Sequence, residues 1–500
     1  MPIELTGNDL TVEQLRRVVY EREAVALAAS ARKAVERARA TVEKLIAQNQ
    51  VVYGVTTGFG DLARVKIPPD QLKAVQLNLL RSHAAGVGEP LSEAETRATL
   101  LLRANVLAKG YSGVRSVVIE RLCELLNRGV HPVIPSRGSV GASGDLAPLS
   151  HLALVLIGEG EAFYEGKRMS GADALKRAGL EAIVPEAKEG LALINGTQPS
   201  LAVGLLALLE AENLADTADV AAALALDALR GTPVAFDERI QSLRPFPGQA
   251  RSAANLRRLN EGSEIRESHR DCGRVQDAYS LRCAPQVHGA VRDALGYARR
   301  IFETELNAGT DNPLVFADKG EVLSGGNFHG QPLALALDVL ALALVQLGNI
   351  SERRIERLIN PTLSDLPAFL TKQPGLHSGF MMAQVTAAAL ASENKGLAHP
   401  ASADSIPTSG NEDFVSMSMG AALKARRVAD NVKTILAVEL LCACQGIDLL
   451  APLKTGKLAG QAHAAVRRAL STLEADRVLA PDIEAVRHLI SQHTFQKLVG

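Results

Sequence analysis

Residues 138–151 read GSVGASGDLAPLSH, a glycine-punctuated turn that runs straight into an apolar segment. Gly138, Gly141 and Gly144 surround the small residues Ala142 and Ser143, so the backbone can take turns closed to residues that carry a Cβ. From Leu146 to Ile157 the chain reads as an apolar helix, with Pro148 in its first turn, where a missing N–H is harmless. Asp145 is the expected N-cap, and the helix N-terminus lends positive potential to the turn. Ser143 has no histidine base beside it, and Asp145 stands where a Gly-x-Ser-x-Gly nucleophile elbow needs its second glycine. Hydrolase chemistry does not fit.

A tight Ala-Ser-Gly turn permits another reaction. The amide nitrogen of Gly144 can attack the carbonyl carbon of Ala142 and close a five-membered ring, the Ala142 oxygen leaving as a first water. Loss of the Ser143 hydroxyl as water then leaves a methylidene group conjugated to that ring, an electrophile that no unmodified side chain supplies.

The alternation of Gly-bearing loop and apolar helix extends in both directions. Helical spacing dominates, with Ala, Leu, Glu, Lys and Arg abundant. Thr11 with Gln14 reads as a capping box opening a long helix to about Asn49, and Ser92 with Glu95 as another, closed by Gly110. Further helices are expected over 114–128, 200–229, 287–305, 331–358, 379–395 and 416–445. Strand-like patches are short: 51–55, a hairpin from 163–164 and 167–169, and a second from 314–316 and 321–323 around Asp318-Lys319-Gly320. Irregular loops bearing Gly or Asn lie between the helices, at 53–60, 83–89, 193–199, 271–285, 308–313, 325–330 and 400–413. With no fixed-period repeat, the expected fold is mainly α: a long-helix bundle with chemistry at helix ends and loops, plus a few short hairpins. Residues 1–190 form a loop-rich N-terminal region carrying the turn. Residues 191–500 form the central bundle and C-terminal helices, in one continuous body because no Ser-, Pro- or charge-rich linker divides the chain.

Among the 500 residues, 54 Lys and Arg nearly balance 55 Asp and Glu, so neither nucleic acid nor an anionic membrane surface is an expected partner. The N-terminal MPIELTGNDLTVEQLRR lacks a basic start followed by an apolar core, so no signal peptide is expected. The longest uncharged run, 190–209, contains Asn195, Gly196, Thr197, Gln198 and Pro199 and is no membrane span. Cys123, Cys272, Cys283, Cys442 and Cys444 are scattered and odd in number. Cys442 and Cys444 are too close for a Cys-x-x-Cys site, so reduced thiols in a cytoplasmic protein, without a metal, are expected.

The fourteen-residue stretch closely resembles the prosthetic-group signature of the aromatic amino acid ammonia-lyases. The resemblance implies that Ala142-Ser143-Gly144 form 4-methylidene-imidazol-5-one (MIO) autocatalytically, with no external cofactor. It runs from about residue 3 to 485, and each loop carries its own match. VYGVTTGFG at 52–60 resembles the family's inner loop, which makes Tyr53 a candidate general base; a phenol is a weak base, so the role needs positive potential nearby. SHAAGVGEP at 82–90 resembles the histidine-acting members and puts His83 at the substrate-ring selector, where the resemblance implies an imidazole or a phenol substrate. INGTQ at 194–198 supplies Asn195, an amide able to bind the substrate carboxylate or hold an intermediate on the ring. VQDAYSLRC at 275–283 supplies Gln276, Tyr279 and Arg282, the last an anchor for a carboxylate through a bidentate guanidinium. GGNFHG at 325–330 implies Phe328 near the ring. IPTSGNEDFVSM at 406–417 brings Glu412, which contacts the substrate ring or removes a proton; the run is one residue short of the family pattern before Glu412, and Phe414 replaces a usual His.

The resemblance implies non-oxidative deamination of L-histidine to trans-urocanate and ammonia, with tyrosine or phenylalanine lyases and aminomutases as relatives. His83 and Glu412 can both hydrogen-bond an imidazole, whereas a phenyl ring leaves each unpaired at a cost of ~1–3 kcal/mol. Tyr53 or Glu412 takes the β-proton, and Arg282 with Asn195 holds the carboxylate. The loops are dispersed along the chain, and the resemblance implies a homotetramer in which several subunits build each site.

Overall fold

The computed structural model of the protein describes residues 2–58, 60, 64–408 and 410–499. Phe59 and Ser409, which belong to two of the loops singled out above, lie outside the described residues. The fold is mainly helical, as the residue pattern requires. Its longest helices are Gln198–Ala228, Ala284–Glu305, Gln331–Ile359 and Ser418–Leu449, each within a few residues of its expected span. Their abundant Ala and Leu favour helix, because straight-chain and small residues lose little rotamer freedom on helix formation. Gln331–Ile359 is long and apolar enough to cross a membrane, yet 72% of its most apolar window is buried inside the protein, as in a core helix.

The chain forms two compact units. The first comprises Met1–Leu206, Arg300–Leu337 and Pro400–Leu423. It opens with β1 (Ile3–Leu5), α1 (Val12–Tyr20), β2 (Val25–Leu27) and α2 (Ala29–Ala47). Thr11 and Gln14 do form a reciprocal capping box. The helix they open nevertheless stops at Tyr20 instead of continuing to Asn49, because Val25–Leu27 pairs in parallel with Ile3–Leu5 and Arg22 turns the chain with φ 57°. The patch expected as a strand at 51–55 is a turn, in which Val52 N donates to Thr56 Oγ1 at 2.9 Å and Thr56 Oγ1 donates to Gln50 O at 2.7 Å. There the hydroxyl offers the backbone a local partner in place of a sheet ladder. Next come α3 (Leu72–His83), β3 (Val87–Pro90), α4 (Glu93–Ala108), opened by the Ser92–Glu95 capping box, and α5 (Ser116–Arg128). Then follow β4 (His131–Pro132), β5 (Pro135–Arg137) and α6 (Leu146–Leu156). Both expected hairpins are present, Glu161–Tyr164 with Lys167–Ser170 and Leu314–Phe316 with Glu321–Leu323.

The second unit comprises Ala207–Arg299, Asp338–His399 and Lys424–Gly500. Its apolar interior also holds buried charge in matched sets. Arg354 meets Glu439 at 2.5 Å with both side chains fully buried. Arg292 bridges Asp216 and Asp219 at 2.7 and 2.6 Å, and Asp219 also meets His288 Nδ1 at 2.8 Å. Pairing of this kind offsets the cost of withdrawing these charges from water.

Candidate active site

Residues 138–145 are clamped from two sides. Asp145 N donates to Gly196 O at 2.8 Å and Gly196 N donates to Ser143 O at 3.3 Å, a single parallel bridge between the 138–145 and 194–198 loops. Gly144 has φ +74°, and a Cβ there would stand 2.1 Å from the Gly196 carbonyl oxygen, so only glycine fits this approach of backbone to backbone. On the other side Met417 N donates to Val140 O at 2.9 Å, which ties the end of the 406–417 segment to the same turn.

Asp145 does not cap α6: its side chain makes no bond to that helix's N–H groups. It accepts instead from Ser139 Oγ at 2.6 Å, Ser200 Oγ at 2.9 Å and Ser200 N at 2.8 Å. Ser200 lies in the first turn of the Gln198–Ala228 helix, so the carboxylate complements that helix's positive end. Burial pushes the Asp145 carboxyl above its ordinary pKa, opposed by these hydrogen bonds. One helix thus starts directly after Ser143–Asp145 and a second is held to Asp145, and their positive ends converge beside Ser143.

Behind the turn lies a polar cluster that the sequence did not announce. Arg103, fully buried, donates to Asn195 O from both terminal nitrogens at 2.9 and 3.1 Å, and burial pushes its pKa down to about 10. Asn195 Nδ2 donates to Asn312 O at 2.8 Å and to Asp311 Oδ1 at 3.4 Å. Asp311 Oδ2 accepts from Lys188 Nζ at 2.8 Å, with neither side chain reaching solvent. Burial pushes the Lys188 ammonium below its usual pKa, and Asp311 opposes that shift. Asp311 falls in the flagged 308–313 loop, but nothing local distinguishes it or Lys188. Their signal is a pairing across 123 residues of chain.

Tyr53, His83, Ser143, Asn195 and Glu412 all line one cavity of ≈ 450 Å³ in the first unit, walled on its apolar side by Leu79, Leu146, Leu191 and Ile194. His83 ends α3, and its Nδ1 lies 3.0 Å from Leu79 O. A carbonyl only accepts, so Nδ1 carries the proton and Nε2 is the ring's acceptor. Burial lowers the His83 pKa, against the opposing pull of the Leu79 carbonyl and the Glu412 charge. A lowered pKa keeps this imidazole neutral near pH 7. Tyr53 Oη accepts from Gly60 N at 3.2 Å. Glu412 Oε2 accepts from Thr408 Oγ1 at 2.5 Å. Phe414 is exposed and stacks on His329, ring centroids 6.1 Å apart.

The remaining residues expected at the site lie elsewhere. Phe328 is half-buried and does not line this cavity. Gln276, Tyr279 and Arg282 belong to the second unit, where Tyr279 is 70% exposed and the Arg282 guanidinium lies 4.7 Å from its ring centroid. Asn78, Ser82 and Asn312 also line the cavity and were not anticipated.

A family model for aromatic amino acid lyases matches residues 10–468. The histidine ammonia-lyase of Koribacter versatilis is 61% identical over 502 residues, covering 98% of this chain and 97% of that protein. The crystal structure of histidine ammonia-lyase from Trypanosoma cruzi superposes with a TM-score of 0.92 at 48% identity, covering 100% of this chain and 95% of that one. That of tyrosine aminomutase from Streptomyces globisporus superposes at 0.94 with 42% identity, covering 100% and 98%.

Proposed function

The chain belongs to the aromatic amino acid lyase family, and from that premise we propose that it converts L-histidine to trans-urocanate and ammonia. The observation that carries the substrate is the meeting of His83 and Glu412 with Ser143 on one cavity. His83 Nε2 and the Glu412 carboxylate are both acceptors, which the two N–H groups of an imidazolium ring satisfy together. A phenyl ring offers neither of them a donor, which costs ~1–3 kcal/mol each and translates into about fivefold or greater discrimination per group.

We propose that the electrophile is MIO, formed from Ala142, Ser143 and Gly144. The residues fit it: Gly144 lies where a Cβ would strike Gly196 O, and Ser143 faces the cavity. The carbonyl oxygen of the side chain of Asn195, which lines the same cavity, is buried without a hydrogen-bond partner among the described residues. When formed, the ring supplies an electron-poor methylidene carbon that makes ammonia a feasible leaving group. The helix N-termini beside Ser143 withdraw electron density from it. The Glu412 charge acts on His83, which supports reading the carboxylate at the imidazole end and leaves Tyr53 Oη as the group that takes the β-proton. Arg282 anchors the substrate carboxylate. Because Gln276, Tyr279 and Arg282 do not line the cavity, we assign them to the site of a neighbouring copy in a homotetramer.

The reaction is tested by following urocanate formation from L-histidine alongside deamination or 2,3-amino shift of tyrosine and phenylalanine. The expected kcat/KM for histidine exceeds that for phenylalanine by at least about thirtyfold, the sum of the two hydrogen-bond terms at ~1 kcal/mol each, and exceeds that for tyrosine, whose hydroxyl can pair with one of the two groups, by less; a preference for tyrosine would transfer the chain to the aminomutase or tyrosine-lyase branch. For the base, Tyr53→Phe is expected to lower kcat by about 10²–10⁴-fold with little change in KM, and Glu412→Gln to raise the histidine KM more than it lowers kcat. pH–rate profiles of the two variants check the assignment. An unchanged kcat in Tyr53→Phe clears that residue.

A further inference from the structure

The side-chain oxygen and nitrogen of an asparagine have nearly the same shape, so only the hydrogen-bond partners decide which way the amide points. At Asn195 they decide it. The nitrogen faces Asn312 O at 2.8 Å and Asp311 Oδ1 at 3.4 Å, both acceptors. Turned over, the amide would press three acceptor oxygens together among buried residues. Asp311 is itself immobilised, since Oδ2 accepts from Lys188 Nζ at 2.8 Å and Oδ1 from Asn312 N at 2.7 Å. The Asn195 backbone is fixed too, by Leu191 O at 3.0 Å and by Arg103. What remains is Asn195 Oδ1, buried, without a partner among the described residues, on a residue that lines the cavity with Ser143.

A buried acceptor lacking a donor carries the full cost of its desolvation until a donor arrives. A carboxylate cannot serve, since it only accepts; an amine or ammonium can. Resting on the reading above, we propose that Asp311 and Lys188 are positioning residues that lock the Asn195 amide with its carbonyl oxygen toward the substrate's amino group, leaving the carboxylate to Arg282. The pair touches no substrate atom. It acts by denying the amide its other orientation.

Two ligands separate the ends of the substrate: L-histidinol keeps the amino group and lacks the carboxylate, and imidazolepropionate keeps the carboxylate and lacks the amino group. Their affinities are measured calorimetrically for the parent, Asp311→Asn, and the double variant Lys188→Met/Asp311→Asn. In both variants residue 311 can present an N–H to Asn195, so the inverted amide meets one acceptor, Asn312 O, and gains a donor in place of the other. The double variant also removes the lone buried ammonium that could unfold the single one. L-Histidinol binding is expected to weaken by about tenfold or more, the size of one hydrogen bond to a charged donor, with imidazolepropionate binding unchanged or tighter. Unchanged histidinol binding in a variant that melts cooperatively overturns the proposal, and so does equal loss of both ligands, which marks a purely structural pair. Urocanate formation by the parent tests the substrate reading separately. Should the parent act on tyrosine instead, tyrosinol and hydroxyphenylpropionate replace the two ligands, and the positioning claim meets the same test.

Discussion

Ser143→Ala is expected to leave a folded protein that deaminates nothing measurable, with kcat/KM down by at least about a thousandfold, some 4 kcal/mol of barrier. The β-hydrogen of an amino acid is barely acidic and ammonia leaves poorly, so Tyr53 and Glu412 alone provide a proton acceptor but no electron sink. The proposed ring becomes an electrophile only when the Ser143 hydroxyl departs as water, and alanine has no hydroxyl to lose. Folding is spared because the clamp on this turn uses backbone atoms: Ser143 O accepts from Gly196 N, and Asp145 N donates to Gly196 O, whatever the side chain at 143. The parent's intact mass is expected to fall two waters short of the sum of its residues. With no Trp in the chain, the ring's near-UV absorbance should be plain in the parent and absent from the variant. An active parent with the full unmodified mass would sink both the ring and the mechanism built on it.

The elements that could be read from sequence are those whose causes are local. The Ser92–Glu95 box opens its helix, and Asp318-Lys319-Gly320 sits in the connection of the Leu314–Phe316 and Glu321–Leu323 hairpin. The failures trace to partners far along the chain. The helix begun at Thr11 ends at Tyr20 because Val25–Leu27 finds its partner at Ile3–Leu5, which no periodicity within 11–49 reveals. Asp145 serves the helix that starts at Gln198 and not the one it precedes, because Ser200, 55 residues on, offers both N–H and hydroxyl. At the site, motif resemblance drew attention to Tyr53, His83, Ser143, Asn195 and Glu412, and the fold brings them onto one cavity. Lys188, Asp311 and Arg103 escaped notice because a buried charge looks like any surface charge until its partner is known.

Mixing two inactive variants is expected to restore activity. Arg282→Met removes a guanidinium that pairs with a carboxylate, and losing one partner of such a pair costs about 2–5 kcal/mol, so kcat/KM should drop by tens to thousands of fold. Ser143→Ala is inactive for the reason already given. In this chain Ser143 lines the cavity and Arg282 does not, and Tyr279, against which Arg282 stacks, is exposed. If a neighbouring copy completes each site, the variants are defective in different halves of it. Coexpressed and assembled at random, they should yield roughly a quarter of sites with an intact Ser143 from one copy and an intact Arg282 from another, as closed symmetric assembly with exchangeable subunits requires. The test is kcat of the coexpressed mixture, with active sites counted by the ring's absorbance, against each variant alone. A mixture no more active than its parts would mean that Ser143 and Arg282 serve a site from the same copy, and the shared tetrameric site would have to be abandoned.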